Sequence, residues 1–456
     1  MDKTLTVEIR GKDFILGESQ SDLISDKGFS PDSYGLNLLK TKGEMFFIET
    51  PTDRGSSTLT GNLIASAFDK NFLGNDLYFL DDEGAFYTLN ATTFTKRQTV
   101  TADTFTLGTS DMLQFLGNTY ATTATRVVQL TGSDLATVDS SWWTGLTTSY
   151  RHPLERVENT MYIGDANLIH SWDGTTSTSA FVTLPTDVNI TSLRKHPDGV
   201  HLIAFCGLTA NYSHLKGQGG RIYLIDTSLR DWVREIETES QVEGSRLVGG
   251  IVYVTYGAKL GYFTGDGIKS LKNLTTSQTT YSQSMSNMED ILLIRDCVNV
   301  LAFGDLGAGN VWWNLYRNTT NSNNVQVVAY KGGNVVCYGF SDGAGAGILH
   351  EVDYDNAGIL GTFYSNRYSF GRRVMIRRIV ILHDVSASGG TTAFSVYYRD
   401  IENTSNLLQT VTYNSQSVSK TTIECQVETD FFQFGIVPSN DDTGYKLIRI
   451  YYAAVE

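Results

Sequence analysis

The feature that most constrains this chain is a short hairpin that keeps returning. Residues 75–90 read NDLYFLDDEGAFYTLN, two apolar-alternating runs around an acidic turn with a glycine, the outline of a β-hairpin. The outline returns as GNTYATTATRVVQLTG from Gly117 and ENTMYIGDANLIHSWDG from Glu158. The aromatic anchors Tyr78, Tyr120 and Tyr162 are spaced by 42 residues and 42 again, and DGVHLIAF around Leu202 follows 40 further on. Its partner GGRIYLID is displaced by an insertion, CGLTANYSHLKGQGG. Later copies are GGIVYVTYGAKLGYFTGDG from Gly249, EDILLIRDCVNVLAFGD from Glu289 and NVVCYGFSDG from Asn334, and TKGEMFFIETP near Phe47 reads as an earlier partial copy.

A unit of this size made only of short strands cannot bury both its faces alone, so it must stack on neighbours. Four strands in about 40 residues is what a β-propeller blade requires. The expected fold is therefore all-β, a β-propeller of about seven blades over residues 38–358, with six or eight left open. Few windows place apolar residues at helical spacing. The 24 Tyr and 22 Phe suit pleated surfaces, and abundant Gly, Asn and Asp supply turns. The copies lack the Gly-His and Trp-Asp pairs of the WD40 type. SWDGTTST (171–178) lacks the spacer of an Asp-box, so Asp173-Gly174 reads as a hairpin turn.

From Ile359 the rhythm changes. TFYSNRYSFG, IRRIVILHDV, TAFSVYYRD, LLQTVTY, KTTIECQVE, DFFQFGIVP and YKLIRIYYAA suit a small C-terminal antiparallel β-sandwich, jelly-roll-like, over 359–456. Residues 1–37 hold one strand, LTVEI, and polar sequence. They read as an N-terminal arm that closes the ring with a strand or pairs with a sheet edge of a neighbouring subunit.

The net charge of −14 argues against sequence-specific nucleic-acid binding and against adhesion to anionic membranes, both of which run on clustered Lys and Arg. No apolar run approaches the roughly 18 residues of a membrane span, and the start MDKTLTVEIRGKDF lacks the apolar core of a signal peptide. Synthesis in the cytosol without membrane insertion is the expectation. Cys206, Cys297, Cys337 and Cys425 are far apart and read as buried reduced thiols.

Motifs of chemistry are scarce. No phosphate-binding loop, His-Glu-x-x-His zinc site or Gly-x-Ser-x-Gly elbow occurs. GAGAG (343–347) reads as a flexible turn; DYDNAG (353–358) starts like a calcium loop but has Ala357 and Tyr364 where ligands belong. The histidines show no metal-pair spacing, so no catalytic residue, cofactor or metal is expected. Against the acidic background stands NRYSFGRRVMIRRIV, with Arg367, Arg372, Arg373, Arg377 and Arg378. Forked guanidinium bonding suits these arginines to an acidic surface on another subunit; the alternative is a solvated strand face.

With the arm GFSPDSYGLNLLKTKGE (28–44), hairpins such as LIHSWDGTT (168–176) and the domain opening RYSFGRRVMIRRIVI (367–381), the chain resembles virion proteins of tailed bacteriophages. The likeness is nearest to the β-propeller nozzle or tail-tip proteins of short-tailed phages. It implies a structural tail component, a nozzle, tip or hub forming part of the DNA conduit or an attachment platform. It also implies a homo-oligomeric ring, often a hexamer, beside other virion tail proteins. DNA would pass nearby without being gripped, because an acidic wall repels phosphate. Two alternatives stand beside it. One is a carbohydrate-binding or receptor-binding adhesin, with Trp142, Trp143, Trp312 and Trp313 as candidates. The other is a propeller-type glycan hydrolase or lyase, which needs axial carboxylates and arginines converging in space.

Overall fold

The computed structural model describes residues 7–10, 33–34, 36–38, 45–48, 51–55, 58–68, 76–90, 93–101, 103–209, 219–275, 280–305, 310–317, 324–331, 335–341, 347–353, 361–365, 367–387, 392–400, 402, 404–413, 419–438 and 445–455. Among them the chain is all-β, with a single 3-10 turn at Ser282–Ser284 and no α-helix. By its contacts it divides into two compact units. One comprises Met1–Thr52, Asn299–Thr319 and Val352–Glu456, and the other Asp53–Val298 and Thr320–Glu351.

Seven four-stranded antiparallel sheets carry the repeat. In chain order their first strands are Leu63–Ala67, Met112–Phe115, Leu154–Val157, Val188–Lys195, Val242–Val248, Met285–Met288 and Val325–Lys331, and the sheets are numbered first to seventh accordingly. Tyr78, Tyr120, Tyr162 and Leu202 all lie buried on the second strands of their sheets, so the spacing read from the sequence marks the second strand of each. The copy near Phe47 is a correction. Met45–Phe47 joins no four-stranded sheet and pairs instead with Tyr445–Val455.

Burial falls off toward the outermost strand in several of the sheets, though the sixth sheet's fourth strand, Asn310–Arg317, stays largely buried. The second strands Leu77–Asp81 and Ile291–Asp296 are buried throughout, which is why they read as unbroken apolar runs. Fourth strands such as Thr137–Thr144 and Asp231–Thr238 are partly or fully exposed and alternate. The first strands touch one another in sequence, first to second and onward to the seventh, and the seventh meets the first again. All seven belong to the second unit. The seventh sheet takes its outermost strand, Thr52–Asp53, from the chain ahead of the first sheet. There Arg54 donates its amide to the Leu349 carbonyl (2.9 Å) and its guanidinium to Glu351.

The C-terminal strands join Val7–Arg10, Leu36–Asn37 and Met45–Phe47 in a nine-stranded network. Two of its strands, Tyr368–Ala387 and Ser419–Pro438, run 20 residues each, where the sequence reads as four shorter ones. Irregularities between Ser369 and Val374 and between Ile376 and Arg378 bend the first without ending it, since a bulge inserts residues while pairing resumes.

Candidate functional site

A cavity of about 600 Å³ opens in the second unit, and every one of the seven first strands contributes to its lining. Apolar runs build these strands, yet each of five carries a long polar side chain facing this space: Gln114, Arg156, Arg194, Arg246 and Asn287. Register explains the recurrence. Gln114, Arg156, Arg194 and Asn287 each pair with the second residue of the following strand, and Arg246 with the third.

The charged groups form a chain of clasps between consecutive first strands. Asp111 accepts the Leu154 amide (3.0 Å) and the Gln283 side chain (3.1 Å). Arg194 bonds Glu155 on one side (2.7 Å) and the Ser245 carbonyl on the other (2.7 Å). Arg246 donates to Asn287 (3.0 Å). Hydroxyls repeat the device, with Thr191 donating to the Val242 carbonyl (2.6 Å) and Ser284 to that of Gln326 (2.6 Å). Burial raises the Asp111 carboxyl above its ordinary range against the pull of Arg194. Burial also brings the Arg246 guanidinium down to about 10, with Arg194 beside it adding to the effect. Three arginines and three carboxyl groups (Asp111, Glu155, Glu289) line the space.

The arginines picked out by the sequence lie elsewhere. Arg372, Arg373, Arg377 and Arg378 are on Tyr368–Ala387, just after Arg367. Arg373, Arg377 and Arg378 are exposed and Arg367 partly so, while the side chain of Arg372 lies outside the described residues. Arg378 stands opposite Glu424 in the register, and Met375 opposite Glu428, so carboxylates of the same chain neighbour part of this cluster. The tryptophans are packed. Trp142 meets Tyr120 and Trp172 edge-on (4.8 and 5.6 Å), Trp312 stacks on Phe303 (4.2 Å), and Trp313 is fully buried. Asp173 accepts the amides of Thr175 and Thr176 (2.8 and 2.7 Å) ahead of Gly174 at φ +96°, a hairpin turn. Cys206, Cys297 and Cys425 are free thiols. GAGAG and the residues of DYDNAG after Asp353 lie outside the described residues, apart from Gly347.

Sequence reasoning missed two groupings. Apart from Asp111–Gln283, the cavity clasps come from residues 39 to 51 positions apart, as Glu155–Arg194 and Arg194–Ser245 are; only aligning the repeats strand by strand exposes the recurring polar position. The second is His196, Asp198 and His201, whose ligand atoms all lie within 4.8 Å of one another, a group that could hold a metal. Comparison with known proteins finds no family model and no curated protein that matches the chain.

Proposed function

We propose that the chain is a structural component of a tailed-bacteriophage virion, a tail nozzle, tip or hub protein. Its fold on this reading is a seven-bladed β-propeller with an appended β-sandwich, assembled as a homo-oligomeric ring with other tail proteins. One observation carries the structural reading: four of the six charged side chains lining the inner cavity, Asp111, Glu155, Arg194 and Arg246, are spent on one another and on groups of neighbouring sheets. Arg194 alone ties its strand to both adjacent first strands, so these groups act as a girdle holding a rigid part together. The closed succession of first strands supports the propeller, a net charge of −14 suits a wall that DNA slides past, and the exposed Arg373 and Arg377 suit an acidic neighbour.

Electron microscopy of the purified full chain at micromolar concentration tests this. The expected result is a closed ring of copies that Arg373→Glu together with Arg377→Glu disperses. A monomer at every concentration, with no particle incorporation, overturns it. A second reading, a glycan hydrolase or lyase, draws on Arg156, Arg194, Arg246, Asp111 and Glu155 converging in one cavity. Turnover of sulfated or sialylated glycans, lost in Glu155→Gln, would favour it over the structural role.

A further inference from the structure

The turn between the first two strands of the fourth sheet reads HPDGVH, residues 196–201. Its backbone is pinned from within. His196 donates its amide to the His201 carbonyl (2.9 Å) and Gly199 to that of His196 (2.9 Å), with Gly199 at φ +85°. Asp198 Oδ1 accepts the amides of Val200 (2.9 Å) and His201 (3.0 Å). That leaves Oδ2 facing two imidazoles at once, 2.9 Å from His196 Nδ1 and 2.5 Å from His201 Nδ1.

We propose that this turn binds a first-row divalent transition-metal ion of the zinc class through His196, Asp198 and His201. Two imidazoles and one carboxylate are the donor set such ions select over calcium or magnesium. Bonds of about 2.0–2.1 Å put tetrahedral ligand atoms roughly 3.3 Å apart, so each imidazole nitrogen needs to back away only slightly from Asp198 Oδ2 to admit the ion. The three side chains are 25%, 38% and 29% exposed, open enough for an ion to enter from solvent. Asp226, at the end of Gly220–Asp226, holds Oδ2 3.9 Å from His201 Nε2. At that distance there is no hydrogen bond, but a negative charge on the far side of a ligating imidazole raises its basicity. Lys195, whose side chain reaches toward Gly199, is a cation beside the turn and opposes the ion's charge. Three protein ligands leave coordination positions for water or for a group from a neighbour.

Zinc titration of the full chain by calorimetry at neutral pH tests the site, with cobalt(II) as a spectroscopic stand-in. One equivalent is expected to bind, with a visible cobalt band diagnostic of a mixed nitrogen and oxygen set. His196→Ala and His201→Ala should each weaken binding about 100-fold, and Asp226→Asn about tenfold. Asp198→Asn keeps the oxygen that caps the turn and loses the charge, so it should weaken zinc without unfolding the protein. Absence of both heat and the cobalt band in the folded wild type overturns the proposal, and so does undiminished binding in the His196→Ala/His201→Ala double variant. Neither readout depends on the role proposed above.

Discussion

Asp81 shows how one side chain can organise a repeat. It ends the second strand of the first sheet, fully buried, and accepts the amides of Gly61, Glu83 and Ala85, the Thr60 hydroxyl, and the Tyr87 hydroxyl at 2.6 Å. Burial, with the bond to Asp81, pushes the Tyr87 phenol up to about 12. Asp165 and Asp296 end the second strands of the third and sixth sheets and accept the amides of Thr147 (2.8 Å) and Thr275 (2.7 Å). Each ties its hairpin to the segment leading into its own sheet. Removing such an acceptor strands several buried donors, so Asp81→Ala should cost about 3 kcal/mol or more in urea unfolding. Arg194→Ala leaves Glu155 without its partner at the cavity wall and should cost about 3 kcal/mol. Exchanging both members for Met and Leu should recover much of that loss. The aspartates were visible in the sequence as LDDEG, IGDAN and IRDCV. Their partners were not, because each lies about 20 residues upstream in a loop with no pattern of its own.

Whole hairpins were the most legible level. Alternating runs, turn residues and a steady spacing place the second and third strands of the first six sheets, because their buried positions demand apolar residues and the turns between them demand Gly, Asn and Asp. The long strands Tyr368–Ala387 and Ser419–Pro438 were not legible as single elements, since bulges inside them imitate strand ends. The short strand Thr52–Asp53 was invisible. It is polar and two residues long, and its place depends on a partner nearly 300 positions away. Its hold rests on the Arg54 amide and on the pair of Arg54 with Glu351, a buried carboxylate. Arg54→Met should cost about 1–2 kcal/mol, discounted for the partial exposure of the arginine. Hydrogen exchange should report this as faster exchange confined to the seventh sheet; a uniform change across all sheets would contradict it.

For the molecule as a whole, the pH response follows from its buried imidazoles. Burial lowers the proton affinity of His152 and of His350 below the ordinary imidazole value. His152 sits between the Gly164 and Ala124 carbonyls, 3.3 Å from each. The unfolded chain therefore binds more protons than the folded one as pH drops below about 6.5. Stability from these groups is complete above that value and is lost progressively as pH falls from it through the lower folded-state values. The melting temperature should be lower near pH 5.5 than near pH 7.5, and His152→Asn should flatten the difference; an unchanged melting temperature across that range would refute the assignment. The late strand partnership has a temporal consequence. Ribosomes emit about 5–20 residues per second, so Thr52–Asp53 leaves the exit tunnel roughly 15–60 s before Gly347–Asp353 is made. By the end of that interval the nascent protein carries six sheets with nothing to complete the seventh, a window in which a holdase or a sister polysome chain can intervene.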